Sequence, residues 1–225
     1  MNATPENPAS AVNDDLANYA VPNPSIVPLN NGSGSKGEAV KENIATKAET
    51  LTSQMNELMD AAAIENGRFI YHKHIFKLND LVSEMAGETG NAIPSCKISL
   101  RKNAALSVHG DRARIAQVLG NLLQNAIDHC PGSNSIIVNL EEKDQTAVCS
   151  VEDFGNGIAI DQQEKIFEKF YRVNNTSGMA HQGLGLGLYI AIEIIKQHHG
   201  KMWVLSEPGL GSTFYFSLPV STTSP

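Results

Sequence analysis

Cysteine is scarce in this sequence. Cys96, Cys130 and Cys149 are the only three among 225 residues, and no two of them are spaced as CxxC. An odd count without that spacing argues against a disulfide framework and against a zinc site. Buried or incidental thiols in a reducing compartment are expected instead. Positive charge is also short: 17 lysines and arginines face 24 acidic residues, for a formal net charge of -7. A general nucleic-acid binder needs a basic face for phosphates, so that class is set aside. A single nucleotide stays open, because a local nest of backbone N–H groups can hold phosphates whatever the overall charge. Long apolar runs are missing too: none approaches the roughly 20 residues that span a bilayer. The start, MNATPENPAS, lacks the basic region and apolar stretch of a signal peptide. A cytoplasmic chain with no membrane segment is the expectation. No internal repeat is visible.

What is present is a globular composition, 41% hydrophobic, with room for one domain and an appendage. Residues 1–36 are poor in large apolar side chains, and VPNPSIVPLNNGSGSKG reads as a linker or irregular arm. Over 37–67, Ile44, Ala48, Leu51, Met55, Leu58 and Ala62 recur at alternating spacings of four and three. That seam fits a helix packed on partner helices, or an ordinary amphipathic helix on its own domain. Gly67 is placed to end it.

From residue 68 to 220 the pattern is α/β, with a tail at 221–225. Strands are expected over Arg68–Phe76, Lys97–Arg101 and Ser107–His109, and a short helix over Asn79–Ala86. Asp111 is a good N-cap for a helix carrying Ile115, Val118, Leu119, Leu122, Leu123, Ala126 and Ile127 on one face, stopped by Pro131-Gly132. Ile136–Glu141 and Thr146–Glu152 read as a hairpin, with Ala147, Cys149 and Val151 alternating against Val148, Ser150 and Glu152. A helix over Asp161–Phe170, a longer one from Leu186 to His198, and a closing hairpin turned at Pro208-Gly209-Leu210-Gly211 complete the chain. The implied class is α+β: a two-layer α/β sandwich, a mixed sheet covered by helices on one face, preceded by a long helix.

Four segments carry candidate chemistry. Asn121 and Asn125 lie four apart on the Asp111 helix, with Asp128 and His129 extending the same face. Asparagine is a poor helix-interior residue, so the stripe reads either as a solvated face or as a ligand face with an amide oxygen for a hard cation. Asp153-Phe154-Gly155-Asn156-Gly157-Ile158 follows a strand; a carboxylate there can accept from a ligand N–H, and the glycines remove Cβ atoms where a ring could approach. By itself this is weak, since a strand-end turn uses the same residues. Phe167 and Phe170 read as core anchors, and Arg172 is within reach of a phosphate. Gly183-Leu184-Gly185-Leu186-Gly187-Leu188 opens the last helix, exposing N–H groups at its positive end. It is neither a P-loop, since GK[ST] is missing, nor a dinucleotide fingerprint.

In order and spacing these segments resemble the ATP-binding catalytic domain of sensor histidine kinases, within the superfamily that includes gyrase, Hsp90 and MutL. QVLGNLLQNAIDH is similar to the N box, VEDFGNGI to the G1 box, IFEKFYRV to the F box and GLGLGLYIAIEIIKQHHG to the G2 box. ETLTSQMNELMDAAAIENGRF resembles the second helix of the family's dimerisation domain, which favours the partner-helix reading of the seam. The resemblance implies ATP and Mg²⁺ as ligands, with Asn125 at the metal and Asn121 near the γ-phosphate as the catalytic pair. It places Asp153 at the adenine amino group, Gly155, Gly157 and Ile158 around the base, and Arg172 near the phosphates. Gly183 to Leu188 would flank the triphosphate, and Val173–Gln182 would form a lid.

The sequence departs from the family in three places. Asp128-His129 stands where relatives often carry Lys-Tyr; His129 is then available to stack on adenine or hydrogen-bond to the nucleotide. His199 replaces the first glycine of the usual His-Gly-Gly. No histidine occurs before His72, so the phosphoacceptor histidine is not in its usual motif, and His72 and His74 read as structural. The implied function is a histidine kinase catalytic core that phosphorylates a histidine-bearing dimerisation domain, forms a homodimer through 37–67 and serves a response regulator. Autophosphorylation of this chain alone is expected to be absent. A non-catalytic ATP-binding regulatory module and an anti-sigma-factor type serine kinase are the alternatives. Gyrase-type hydrolysis is disfavoured, because Asn121 stands at the position of its glutamate base.

Overall fold

The computed structural model describes residues 33–93, 96–129, 135–173 and 183–222. The arm before Ser33, Cys130, the Pro131-Gly132 stop, all of the expected lid except Val173, and the end of the tail lie outside them. The chain divides into two units, Met1–Ala45 and Thr46–Pro225.

Helix α1 (Ser33–Glu65) starts a few residues earlier than expected. Gly67 ends it with φ +61. The Gly67 N–H donates to Ile64 O at 3.1 Å and the Arg68 N–H to Ala63 O at 2.9 Å, a Schellman closure that only glycine adopts without strain. Within the Thr46–Pro225 unit the helix has two sides. Ala61 is buried and Ile64 packs on the core. Leu51, Met55 and Leu58 of the heptad seam are exposed. The inner side is fixed by Asp60, which accepts from Arg114 Nη1 at 3.2 Å and Gln117 Nε2 at 2.8 Å. The Arg114 guanidinium lies 4.1 Å from the Phe69 ring centroid.

The strand expected over Arg68–Phe76 shortens to β1 (His74–Lys77). Before it, ring contacts and a cap set the backbone. Phe69 meets Tyr71 at 5.0 Å, and the His72 N–H donates to Asp111 Oδ2 at 2.8 Å instead of to a strand. Next come α2 (Leu78–Ala92), longer than expected and burying Leu78, Leu81, Val82 and Ala86, then β2 (Lys97–Asn103) and β3 (Ser107–Gly110), which pairs antiparallel with β1. Helix α3 (Arg112–His129) buries the expected apolar face, although Ile127 is only partly covered. Asp111 caps it as expected, with Oδ1 accepting from the N–H groups of Ala113 at 3.1 Å and Arg114 at 3.2 Å. Burial pushes its carboxyl pKa up, but the backbone donors His72, Arg114 and Ala113 outweigh that and hold it below the ordinary value.

The sheet is mixed. β4 (Ser135–Lys143), β5 (Thr146–Asp153), β6 (Lys201–Glu207) and β7 (Gly211–Pro219) join β2 in the order β2-β4-β5-β7-β6. Only β2 and β4 run parallel. Ile136, Val138, Leu140, Ala147, Cys149, Val151, Phe214, Phe216 and Leu218 form the sheet side of the core shared with α2, α3 and α4 (Gly187–Gln197). This is the expected two-layer α+β arrangement. The alternation in β5 is weaker than expected, because Val148 and Ser150 are buried too. β5 is central, and Ser150 pairs across to Tyr215, whose ring stacks on Trp203 at 5.1 Å. Full burial pushes the Cys149 thiol up to about 12, which leaves it a packing residue.

One expected helix is absent. Asp161–Phe170 forms two short 3-10 turns, Ile160–Gln162 and Lys165–Phe167. Ten residues with so few apolar positions do not repay helix nucleation. Phe167 packs partly against the core, but Phe170 is 62% exposed. Phe170 takes φ +60, and its N–H donates to Gly185 O at 3.0 Å. It is not a core anchor.

The end of α4 carries a buried histidine. His198 Nδ1 donates to Ile194 O at 2.7 Å, while Nε2 accepts from the Asp111 N–H at 2.9 Å. Only the neutral ring with Nδ1–H satisfies both. Burial lowers its pKa below the ordinary 6.5. A depressed folded-state pKa means that the unfolded chain takes up the proton first. The His198 contribution should therefore be complete above pH 6.5 and decline as pH falls from there toward the folded-state value, by up to about 1.4 kcal/mol per pH unit. Urea midpoints at neutral and mildly acidic pH measure this, and His198→Gln should flatten the slope. Next in the chain, His199 holds φ +59, which explains why glycine suits this position and costs a histidine about 1 kcal/mol. Gly200 is the indispensable one, since a Cβ there would lie 1.9 Å from Ser217 O.

Candidate nucleotide site

A cleft of roughly 230 Å³ opens between α3, the start of α4 and the segment after β5. It gathers most of the expected residues. Asn121, Asn125, Asp128 and His129 line it from α3, Asp153, Gly157 and Ile158 from β5 and its loop, and Arg172, Gly183, Leu184, Gly185, Gly187 and Leu188 from the α4 side. Gly155 and Leu186 do not line it. Leu186 is fully buried.

Asp153 ends β5 and is only 4% exposed. Its Oδ1 accepts from the Gly155 N–H at 2.9 Å. Burial raises the carboxyl pKa, partly offset by the backbone donors Gly155 and Ser212. A carboxylate has about four lone-pair sites, so two donors leave acceptor capacity for a ligand. The neighbouring glycines have a structural reason of their own. A Cβ on Gly155 would lie 2.0 Å from His129 O, and one on Gly157, at φ +65, would lie 2.0 Å from Glu207 O. They admit other backbone at close range, and so hold Asp153 in place.

On α3 the two asparagines share a face but differ in role. Asn121 Nδ2 donates to Gly187 O at 2.9 Å, tying α3 to the first residue of α4. Asn125 is half-buried and lines the cleft, and an amide oxygen is a hard donor of the kind Mg²⁺ takes. Asp128 Oδ1 accepts from Gln124 Nε2 at 2.7 Å, so this acid is occupied along its own helix. Helix α4 begins after Leu186 with no side-chain cap, which leaves its first N–H groups available to an anion. Among the described residues, Gly185 is the one of the three alternating glycines demanded by the fold: it takes φ +71, with Tyr171 O 2.8 Å from a built Cβ, while no described residue lies within 4 Å of one on Gly183.

The sequence reading missed Glu57, Gln124, Asn156, Ile166, Tyr171, Ser212 and Phe214, which also line the cleft together with Val173, the first residue of the expected lid. Gln124 was findable one turn before Asp128. Glu57 was not, since nothing in a heptad helix marks a residue as facing a distant cleft. Among the described residues no group of three His, Cys, Asp or Glu side chains could hold a metal, and no helix is long and apolar enough to cross a membrane.

Residues 110–222 match the histidine kinase-, DNA gyrase B- and HSP90-like ATPase family. The match covers half of the chain, and the chain belongs to that family. The sensor-like histidine kinase SenX3 of Mycolicibacterium smegmatis is 29% identical over 180 residues, covering 79% of this chain and 47% of the relative. The adaptive-response sensory kinase SasA of Thermosynechococcus vestitus is 43% identical over 114 residues, covering 50% of this chain and 30% of the relative. Among solved structures, histidine kinase ThkA in complex with the response regulator TrrA superposes with a TM-score of 0.65 at 28% identity, covering 82% of this chain and 52% of that one. The chain thus spans about half the length, or less, of the curated relatives it matches.

Proposed function

We propose that this chain is the ATP-binding catalytic core of a two-component sensor histidine kinase. The observation that carries the reading is the convergence of Asn125, Asp153 and the uncapped start of α4 on one cleft. Asp153 accepts from the adenine amino group, and the packed glycine loop fixes its orientation. The N–H groups from Gly187 onward, with Arg172 nearby, take the phosphates. Asn125 Oδ1 is the protein's donor toward Mg²⁺, and its half-buried position on α3 fits that chemistry. When bound, the metal neutralises phosphate charge; catalysis then rests on positioning rather than on a covalent protein group. Asn121 contributes by holding α4 against α3.

The acceptor is a histidine on a dimerisation domain, and the phosphoryl group passes on to a response regulator. The family membership, the kinase names of the relatives and the ThkA–TrrA assembly support this reading. With labelled ATP·Mg, a supplied histidine-bearing dimerisation domain should acquire acid-labile, base-stable phosphate, while the chain alone should stay unlabelled. If ATP binds and no label moves, the chain is a non-catalytic nucleotide module.

The seam on α1 suits a second copy of the chain. Leu51, Met55 and Leu58 are exposed at heptad spacing, which is costly for an isolated helix and favourable between two. Sedimentation should report a dimer that Met55→Glu converts to monomer, with the melting temperature of the sheet domain unchanged.

A further inference from the structure

One group in the cleft is unexplained by the nucleotide reading. Glu57 comes from α1, yet it lines the cleft together with Asn121 and Gln124 of α3. It is half-buried, and among the described residues no cation or donor pairs with it. Burial raises its pKa with no neighbouring charge to offset that. Of the other two acids in the cleft wall, Asp128 accepts from Gln124 and Asp153 from the Gly155 N–H; among the described residues Glu57 has no such partner.

Its place along the cleft follows from the helices. One turn after Glu57, Asp60 is hydrogen-bonded to Gln117 and paired with Arg114. One turn beyond Gln117, Asn121 is bonded to Gly187 at the start of α4. Glu57 therefore stands at the α4 end of the cleft, where the glycine-opened helix start would meet phosphates, and away from the end of β5. The Asp60 cluster also anchors the helix one turn away, so the backbone that carries Glu57 stays in place while those bonds hold.

We propose that Glu57 determines which nucleotide the cleft prefers while α1 is docked: its carboxylate, unpaired among the described residues, disfavours the terminal phosphate of a nucleoside triphosphate and leaves a diphosphate unaffected. The inference rests on the nucleotide reading above. Like charges sharing a partly dry site repel, and the repulsion grows with the charge added beyond the β-phosphate. By reciprocity, a bound triphosphate would loosen α1 from α3 by the same factor.

The test is calorimetry on the full chain with Mg·ADP and with the non-hydrolysable triphosphate Mg·AMPPNP, for the native protein, Glu57→Gln and Glu57→Ala. Gln has a helix propensity close to that of Glu, so the fold is retained. Glu49→Gln, on an exposed part of the same helix, is the control. Both Glu57 variants should bind AMPPNP roughly three- to tenfold more tightly with ADP affinity unchanged, and Glu49→Gln should change neither. Equal shifts for both nucleotides, or no shift for AMPPNP, would overturn the inference and leave the nucleotide site standing. If the native chain binds neither nucleotide, the site reading falls and this inference falls with it.

Discussion

Asp153→Asn is expected to remove ATP binding while the fold survives. The buried carboxylate at the end of β5 already accepts from the Gly155 N–H, and it has acceptor capacity left for an exocyclic amine. Asparagine keeps one acceptor oxygen and presents an amide NH₂ in place of the other. Against an adenine amino group, that sets donor against donor. A hydrogen bond to a charged acceptor is worth about 1.5–3 kcal/mol, so affinity should fall by roughly ten- to a hundredfold or more. The fold should tolerate the change. Burial raises the Asp153 pKa, so the ionised carboxylate costs stability at neutral pH, and a neutral amide removes that cost. Calorimetry gives the affinity and a thermal melt gives the fold. An unchanged ATP affinity would sink the nucleotide reading.

Gly157→Ala should give the opposite signature, with stability and binding lost together. The loop after β5 is laced to the β6–β7 turn: Gly209 N–H donates to Asn156 O at 2.8 Å, and Ile158 N–H donates to Ser206 Oγ at 2.7 Å. Gly157 sits between these bonds at φ +65, and an added Cβ would lie 2.0 Å from Glu207 O and 2.6 Å from Glu207 C. The left-handed conformation costs an alanine about 1–2 kcal/mol. The overlap is with backbone, which cannot retreat without breaking the flanking bonds. The sum should exceed about 3 kcal/mol, visible as a large drop in the urea midpoint. Gly183→Ala is the contrast, since its Cβ would meet no described residue within 4 Å and stability should hold.

These two substitutions also mark where sequence reading works. Asp153 was legible because an acidic residue directly after an alternating strand stands at a sheet edge, where side chains reach a ligand. Asn121 and Asn125 were legible because a polar pair at helical spacing interrupts an otherwise apolar face. The role of Asn121 was not: its bond to Gly187 joins residues 66 apart in the chain. The glycines of the β5 loop were found as glycines, but their structural neighbours, His129 O and Glu207 O, are brought there only by folding. The expected Asp161–Phe170 helix failed because so few apolar positions do not repay nucleation, and folding alone adds the Phe170 N–H bond to Gly185 O at its end.

By itself the sequence determined the periodicities, and with them α1, α3 and α4, the hairpins, the Asp111 cap, the Gly67 stop and the order of the four motifs. These follow from local rules of spacing, capping and turn chemistry, which act within a few residues. The tertiary structure alone decided that α1 is pinned by Asp60 to Arg114 and Gln117, that His198 is a neutral acceptor for the Asp111 N–H, and that Glu57 enters the cleft. Each joins residues more than fifty positions apart, and packing of whole elements, rather than local pattern, sets such meetings.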